Sequence, residues 1–418
     1  MMKLEILSIG NEVVSGDIVN TNAAWLSEQL WKNGFEITRH ITIADDEEAI
    51  REALLFAASK VDAVISTGGL GPTVDDFTVE IAGKTFGLTL QKNSEVLDQL
   101  HQFYTSRGRA MTPNQEKQAL IPEGAQALIN PVGSAPGVRI EYENVNYFFL
   151  PGVPKEMKEI FQNSVLPYLL QKRTPPVYFK SKTLHCFGAE EAKLDHLIQP
   201  LLKDRVGLGN TKIAFRVSIP EVLIKISSSG KDEKKAMASL KEAENHLRSV
   251  VGAYVYGEEN DSLESVVGKL LLKKQKTLAS AESCTGGLIA HRITNVAGAS
   301  QYFLGGIVAY SNEMKVLELG VSEDTLKRWG AVSEETALEM AQGLRKKLKA
   351  DLGIAVTGIA GPEGGTLEKP VGTVFIALAS VKEAKVKEFH FPTNREWFKL
   401  IVSGVALNWV RKQLLKSS

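Results

Sequence analysis

VDAVISTGGLGPTVDD, residues 61–76, carries a short apolar run into a glycine-rich turn and ends on a pair of aspartates. An apolar run bounded by turn residues reads as a buried strand, and the turn as the loop at its carboxyl end. Upstream, ADDEEAIREALLFAASK (44–60) reads as a helix. Asp45 and Glu48 have capping-box spacing there, and Ala49, Ile50, Ala53, Leu54 and Ala57 share one face. FEITRHITI (35–43) is a strand, and NTNAAWLSEQLWKNG (20–34) is a helix that Asn20 or Thr21 caps and Gly34 ends. LEILSIG (4–10) is a further buried strand. The order β-α-β-α-β calls for right-handed crossovers and a parallel sheet. Ligands of such sheets sit beyond the carboxyl ends of the strands, where GNE (10–12), ADD (44–46) and GGLGPTVDD (68–76) all fall.

The chain has 418 residues, enough for two or three domains with ample core. No apolar run approaches the roughly 18 residues of a membrane span, and MMKLEILSIGNE breaks too early for a secretory signal. Cys186 and Cys284 stand far apart and suggest neither a disulfide framework nor a zinc site. A cytoplasmic protein with no membrane partner is expected. Zero net charge hides an asymmetry. Residues 1–171 carry 13 Lys and Arg against 22 Asp and Glu, residues 172–250 carry 15 against 9, and residues 251–418 carry 21 against 18. An acidic first domain is no nucleic-acid clamp, which needs clustered basic residues.

KRTPP (172–176) reads as a linker, since paired prolines cannot continue a helix. From Val177 to about Gly252 the pattern is β-α-β-β-α, a small α+β module, and YGEENDS (256–262) reads as a second linker. Beyond it, helices and strands alternate again. KTLASAES, GGIVAYS and LGIAVTGIAGP are expected as buried strands, VGTVFIALAS and AKVKEFHF as a hairpin, and the chain closes with a core helix from Asn394. The expected fold is α/β, with two parallel-sheet α/β domains joined by a small α+β module. Its boundaries fall at 1–171, 172–256 and 257–418.

AESCTGG (281–287) places Ser283, Cys284 and Thr285 where a strand turns into a helix headed by glycines. A hydroxyl there is exposed, and free helix N–H groups can stabilise an oxyanion. Ser283 or Thr285 can equally serve as a plain helix cap. Tyr310 and Lys315 of YSNEMK sit on the same sheet edge, and a lysine whose charge is suppressed can activate a serine. The loop VTGIAGPEGG adds Thr357, Gly358 and backbone donors suited to a carbonyl and an anionic group.

AESCTGG, YSNEMK, VTGIAGPEGG and KPVGTV together resemble the C-terminal domain of the CinA (competence/damage-inducible protein) family. GNEVVSGDIVNTN, STGGLGPTVDD, NPVGSAPG and PGVPKEM resemble that family's molybdopterin-binding-like domain, related in fold to MogA and MoeA. The resemblance covers essentially the whole chain. It implies a C-terminal amidohydrolase that converts nicotinamide mononucleotide to the nicotinate form and ammonia. Ser283 would be nucleophile and Lys315 base, with Tyr310 and Thr357 assisting. Thr285, Gly286, Gly287 and Gly358 would line the substrate, and Arg395 would hold its phosphate or steady the site. Burial beside the sheet edge, with added repulsion from a nearby arginine such as Arg395, would suppress the charge of Lys315. It also implies metal-dependent cleavage of ADP-ribose to AMP and ribose 5-phosphate by the N-terminal domain. Glu12, Asp45, Asp75 and Asp76 would hold a divalent ion, magnesium or similar, with a monovalent ion as a further candidate. Gly68, Gly69 and Gly71 would let N–H groups approach a phosphate. The deamidase half needs no cofactor. Partners are small-molecule nucleotides and a second copy of the chain in a homodimer. The alternatives are a pterin-binding domain and a nucleic-acid accessory role for the KH-like module. The latter lacks the G-x-x-G loop by which KH domains clamp a backbone.

Overall fold

Strand β1 (Lys3–Ile9) is buried at six of its seven residues, as a strand covered on both faces must be. This computed structural model describes residues 2–58, 60–173, 178–204, 208 and 211–416. Asn20 caps helix α1 (Thr21–Lys32) by accepting from the Ala23 N–H at 3.0 Å. Strand β2 (Glu36–Ile43) then pairs with β1 in parallel, and after helix α2 (Glu47–Ala57), strand β3 (Ala63–Thr67) pairs on the other side, also in parallel. The order therefore reverses at β1. The crevice beyond the carboxyl ends of β1 and β3 is the topological switch point where such sheets bind ligands. Strands β4 (Gln126–Leu128), β5 (Gly137–Tyr142) and β6 (Val145–Leu150) complete the sheet in the order β2-β1-β3-β6-β5-β4. One apolar layer holds Leu26, Leu30, Phe148 and Phe161, and the other Ile50, Leu54, Ile81 and Phe86.

The sequence placed Asp45 as the cap of α2. The structure moves that role by one residue: Asp46 accepts from the Ala49 N–H at 2.9 Å. Asp45 is left to accept from the Asn11 N–H at 2.9 Å, across the sheet edge.

The middle segment holds β7 (Tyr178–Phe187), α3 (Glu191–Asp204), β8 (Lys212–Ser218), β9 (Glu221–Gly230) and α4 (Glu233–Val251). A further strand, β10 (Val255–Glu258), pairs antiparallel with β7 and closes the sheet order β8-β9-β7-β10. It falls where the sequence suggested a linker. The reason is Tyr256, whose ring is buried in the C-terminal core and whose hydroxyl donates to Glu221 at 2.6 Å. Phe187 enters the same core over Gly404, where a Cβ would stand 2.7 Å from its ring. Of the other expected linker, Thr174–Pro176 lie outside the described residues. Packing divides the chain into two compact units, Met1–Lys180 with Ser229–Met237, and Ser181–Ser228 with Ala238–Ser418.

The C-terminal sheet contains β11 (Leu278–Glu282), β12 (Phe303–Val308), β13 (Leu352–Gly358), β14 (Thr373–Ser380) and β15 (Ala384–His390), in the order β12-β11-β13-β14-β15. β12 was expected to be buried, but as an edge strand it alternates between covered and exposed residues. Helix α5 (Leu288–Thr294) follows β11, α6 (Asn312–Leu319) follows β12, α7 (Glu334–Leu348) precedes β13, and α8 (Arg395–Lys416) ends the chain. Among the described residues no helix is long and apolar enough to cross a membrane.

Gly343 of α7 lies against the last carbonyl of α6, and a Cβ there would stand 1.6 Å from Leu319 O. Gly343→Ala gains about 1 kcal/mol in helix propensity, but overpacking against a backbone atom costs up to about 3 kcal/mol. A net loss of about 2 kcal/mol is expected. Urea midpoints of the two proteins measure it, and an alanine variant as stable as the parent would contradict this packing.

Candidate active sites

Ser283 is the first residue beyond β11. Its N–H donates to Val356 O on the neighbouring strand at 3.1 Å, which pins the turn to the sheet. Gly286 and Gly287, at φ 60° and 93°, bend the chain from there into α5. Ser311 caps α6 by accepting from the Met314 N–H at 3.2 Å, and this sets the helical phase that turns Lys315 inward. Only 1% of Lys315 is exposed. Its Nζ lies 3.3 Å from Ser283 Oγ, 3.0 Å from Ala309 O and 3.3 Å from Tyr310 O. Burial pushes its pKa below the ordinary lysine value, while Cys284 and Glu313 pull weakly upward. A neutral amine has two N–H groups and one lone pair. With both N–H groups on the Ala309 and Tyr310 carbonyls, the lone pair is left for the Ser283 hydroxyl.

The sequence reading attributed part of this suppression to repulsion from Arg395. The structure gives Arg395 other work. It donates to Gly361 O at 3.0 Å and to the Tyr310 hydroxyl at 2.7 Å, and burial is what lowers the Lys315 pKa. Tyr310 is 60% exposed, and its carbonyl, not its hydroxyl, touches Lys315. Thr357 is buried and donates to Ala331 O at 2.6 Å, which ties down the loop ahead of α7. Gly358 packs against β14, with a Cβ position 2.7 Å from Thr373 O. The buried Cys284 thiol is pushed up to about 12 by desolvation, so it stays protonated and unreactive.

Glu282 was not foreseen. It is buried, and its carboxylate accepts from Thr285 Oγ1 at 2.7 Å and from the Ile289 and Ala290 N–H groups at 3.0 and 2.8 Å. The first-turn donors of α5 are therefore engaged, not free for an oxyanion as the sequence suggested. The Gly286 N–H is also engaged, by Ser283 O at 3.1 Å. A carboxylate directly ahead of a glycine-headed helix was a legible capping signal. Lys399 was also missed, although it lies one helical turn after Arg395 and its Nζ comes within 3.5 Å of a Cβ position on Gly286.

In the N-terminal unit, Glu12, Asp45, Asp75 and Asp76 line one cavity of about 440 Å³, together with Gly68, Gly69, Gly71 and an unforeseen fifth carboxylate, Glu156. Desolvation raises the Asp45 pKa, and repulsion from Glu12, Asp75 and Asp76 adds to the rise despite the Asn11 hydrogen bond. Burial likewise raises Glu156, against the Asn130 side chain that donates to it at 2.6 Å. The Thr73 N–H donates to Asp76 at 2.9 Å, and the Thr73 hydroxyl, a single donor, lies within hydrogen-bond distance of both Asp75 and Asp76. A Cβ on Gly68 would stand 1.9 Å from Ile9 O, on Gly69 2.0 Å from Thr78 Oγ1, and on Gly71 2.3 Å from Asp76 Oδ2. At each of these glycines, protein atoms fill the space a side chain would take. Hard carboxylate donors fit a divalent cation by type. Among the described residues, however, no three His, Cys, Asp or Glu side chains are gathered to enclose one. This suits an ion that keeps several waters and takes one or two carboxylates.

Residues 5–171 match the sequence family described as "Probable molybdopterin binding domain", residues 181–257 "Damage-inducible protein CinA KH domain" and residues 260–414 "CinA C-terminal domain". A CinA-like protein of Geotalea uraniireducens is 42% identical over 414 residues, covering 99% of this chain and 98% of that one. A CinA-like protein of Geotalea daltonii is also 42% identical over 414 residues, covering 99% of both. A crystal structure of a CinA protein of unknown function from Thermoplasma acidophilum is 35% identical, with a TM-score of 0.38, covering 40% of this chain and 97% of that one.

The buried amine leaves a signature in stability. Because the folded-state pKa of Lys315 lies below its unfolded value, the unfolded chain binds the extra proton between the two. Stability contributed at this position therefore rises with pH from the lowered value up to about 10.4, and is lowest at acid pH. Lys315→Met should be more stable than the parent at neutral pH, with the advantage shrinking toward pH 10. A pH-independent difference in denaturant midpoints would mean that the lysine does not titrate differently on folding.

Proposed function

Because the chain belongs to the CinA family, with a molybdopterin-binding-type domain ahead of the CinA KH and C-terminal domains, we propose that it is a bifunctional hydrolase of pyridine nucleotides. Its C-terminal site would deamidate nicotinamide mononucleotide, and its N-terminal site would cleave ADP-ribose to AMP and ribose 5-phosphate. The observation that carries the first activity is a buried, charge-suppressed amine 3.3 Å from a serine hydroxyl at the end of a parallel strand. Ser283 Oγ attacks the carboxamide carbon as neutral Lys315 takes its proton. The tetrahedral intermediate collapses, the C–N bond breaks, and ammonia leaves with the proton that Lys315 returns. Water then attacks the acyl-serine ester with Lys315 again as base, which frees nicotinate mononucleotide and restores Ser283. The Ala309 and Tyr310 carbonyls can accept from both forms of the amine, so the proton moves without rearrangement.

For the N-terminal cavity, one or two carboxylates among Glu12, Asp45, Asp75 and Asp76 would hold a divalent ion that keeps several waters, and the ion would offset the charge of the pyrophosphate. The Thr73 N–H and hydroxyl position the Asp75–Asp76 pair, and the Asn11 N–H holds Asp45. A pterin in this cavity is the alternative that the matched family's description favours, and fluorescence of co-purified ligand would detect it. We also propose a homodimer, which sedimentation would reveal.

Ser283→Ala should cut ammonia release from nicotinamide mononucleotide by at least about a thousand-fold, while Cys284→Ala keeps most of it. Lys315→Arg should be as damaging as Lys315→Ala, since a guanidinium stays protonated. The rate should rise with pH through an ionisation below that of free lysine and then level off. An active Ser283→Ala protein would sink the assignment. Chelator, or Asp75→Asn, should stop AMP release from ADP-ribose and spare the deamidase. If chelator halted both while the fold survived, the metal-free mechanism of the C-terminal site would be wrong.

A further inference from the structure

An open cavity of about 460 Å³ lies beside the turn after Ser283, lined by Leu288, Arg395, Glu396, Lys399 and Leu400. Arg395 and Lys399 stand four residues apart on one face of α8. Arg395 is linked to the serine through a short chain of contacts. Its Nη2 donates to the Tyr310 hydroxyl at 2.7 Å, the Tyr310 carbonyl accepts from Lys315 at 3.3 Å, and Lys315 is 3.3 Å from Ser283 Oγ. Both of its described acceptors, Tyr310 and the Gly361 carbonyl, are neutral, so they anchor its position and leave its charge uncompensated. Lys399 reaches over the Gly286 turn, and no ion pair or hydrogen bond holds it among the described residues. Glu396 is the one carboxylate on the cavity wall, and it is exposed. Two cations thus flank the reaction centre, one committed to positioning and the other available.

We propose that Lys399 reads the phosphate of the substrate. Its ammonium receives the 5′-monoester and so makes the C-terminal site select a nucleotide over the corresponding nucleoside. This rests on the deamidase reading of the site. It also divides a task that the family resemblance gave to Arg395 alone, with Arg395 holding Tyr310 and Gly361 in place while Lys399 meets the anion.

The test compares kcat/KM for ammonia release from nicotinamide mononucleotide with that from nicotinamide riboside, which lacks the phosphate. In Lys399→Ala the ratio of the two should fall about 10- to 100-fold, the worth of a charge-assisted hydrogen bond. In Lys399→Arg it should recover most of that loss. An unchanged ratio in Lys399→Ala overturns the proposal. If the parent protein turns over neither compound, the deamidase reading itself has failed, and calorimetric titration with ribose 5-phosphate then judges the anion site alone. Binding about tenfold weaker to Lys399→Ala supports the site, and equal binding overturns it.

Discussion

A primary amine sealed beneath the edge of a sheet must find acceptors, and the C-terminal domain is arranged around supplying them. Ala309 and Tyr310 offer their carbonyls because β12 lies parallel to β11 in a register that pairs Glu282 with Val308. The Ala309 N–H returns to Glu282 O at 2.9 Å, so the chain leaving β12 is held opposite the serine. Ser311 then starts α6 at the one phase that brings Lys315 back under this segment. Sheet register, helix cap and buried amine form a single construction. A one-residue slip in β12 would turn every side chain of the strand to its other face and carry the carbonyls away from the amine.

Glu282 and Lys315 are both buried close to Ser283, yet the fold does not pair them. A carboxylate against Lys315 would stabilise its protonated form and raise its pKa. Instead, backbone N–H groups of α5 satisfy Glu282, and backbone carbonyls satisfy Lys315. Each charge is handled by peptide dipoles of the opposite sense, which leaves the lysine free to be neutral. The N-terminal cavity follows the reverse logic. Its carboxylates are brought together so that Asp45 feels its neighbours' charge, and a cation would relieve that repulsion.

Much of this was legible in the residues. The apolar strands and the glycine-rich turn gave the parallel β2-β1-β3 part of the N-terminal sheet but not its antiparallel strands β5 and β4, and AESCTGG with YSNEMK brought Ser283 and Lys315 to one edge. The misreadings have physical causes. Asp45 and Asp46 are both good caps, and only the three-dimensional position of Asn11 decides which one is drawn away from the helix. YGEENDS looks like a linker because polar and turn residues dominate it, while the single ring of Tyr256 determines its burial. Arg395 was taken for a repelling neighbour of Lys315 because sequence places both charges near the site but cannot say that Tyr310 stands between them.

The seating of Phe187 over Gly404, with Tyr256 beside it in the same core, bears on how such a gene can be cut and rejoined. The boundary between the small module and the C-terminal domain runs through shared hydrophobic packing, so it is a poor place for a splice. A descendant that shed the module would uncover a greasy hollow at Gly404 and would have to fill it with a bulkier residue or cover it with another chain. Inheritance of the two parts as one cassette is the arrangement that this packing rewards.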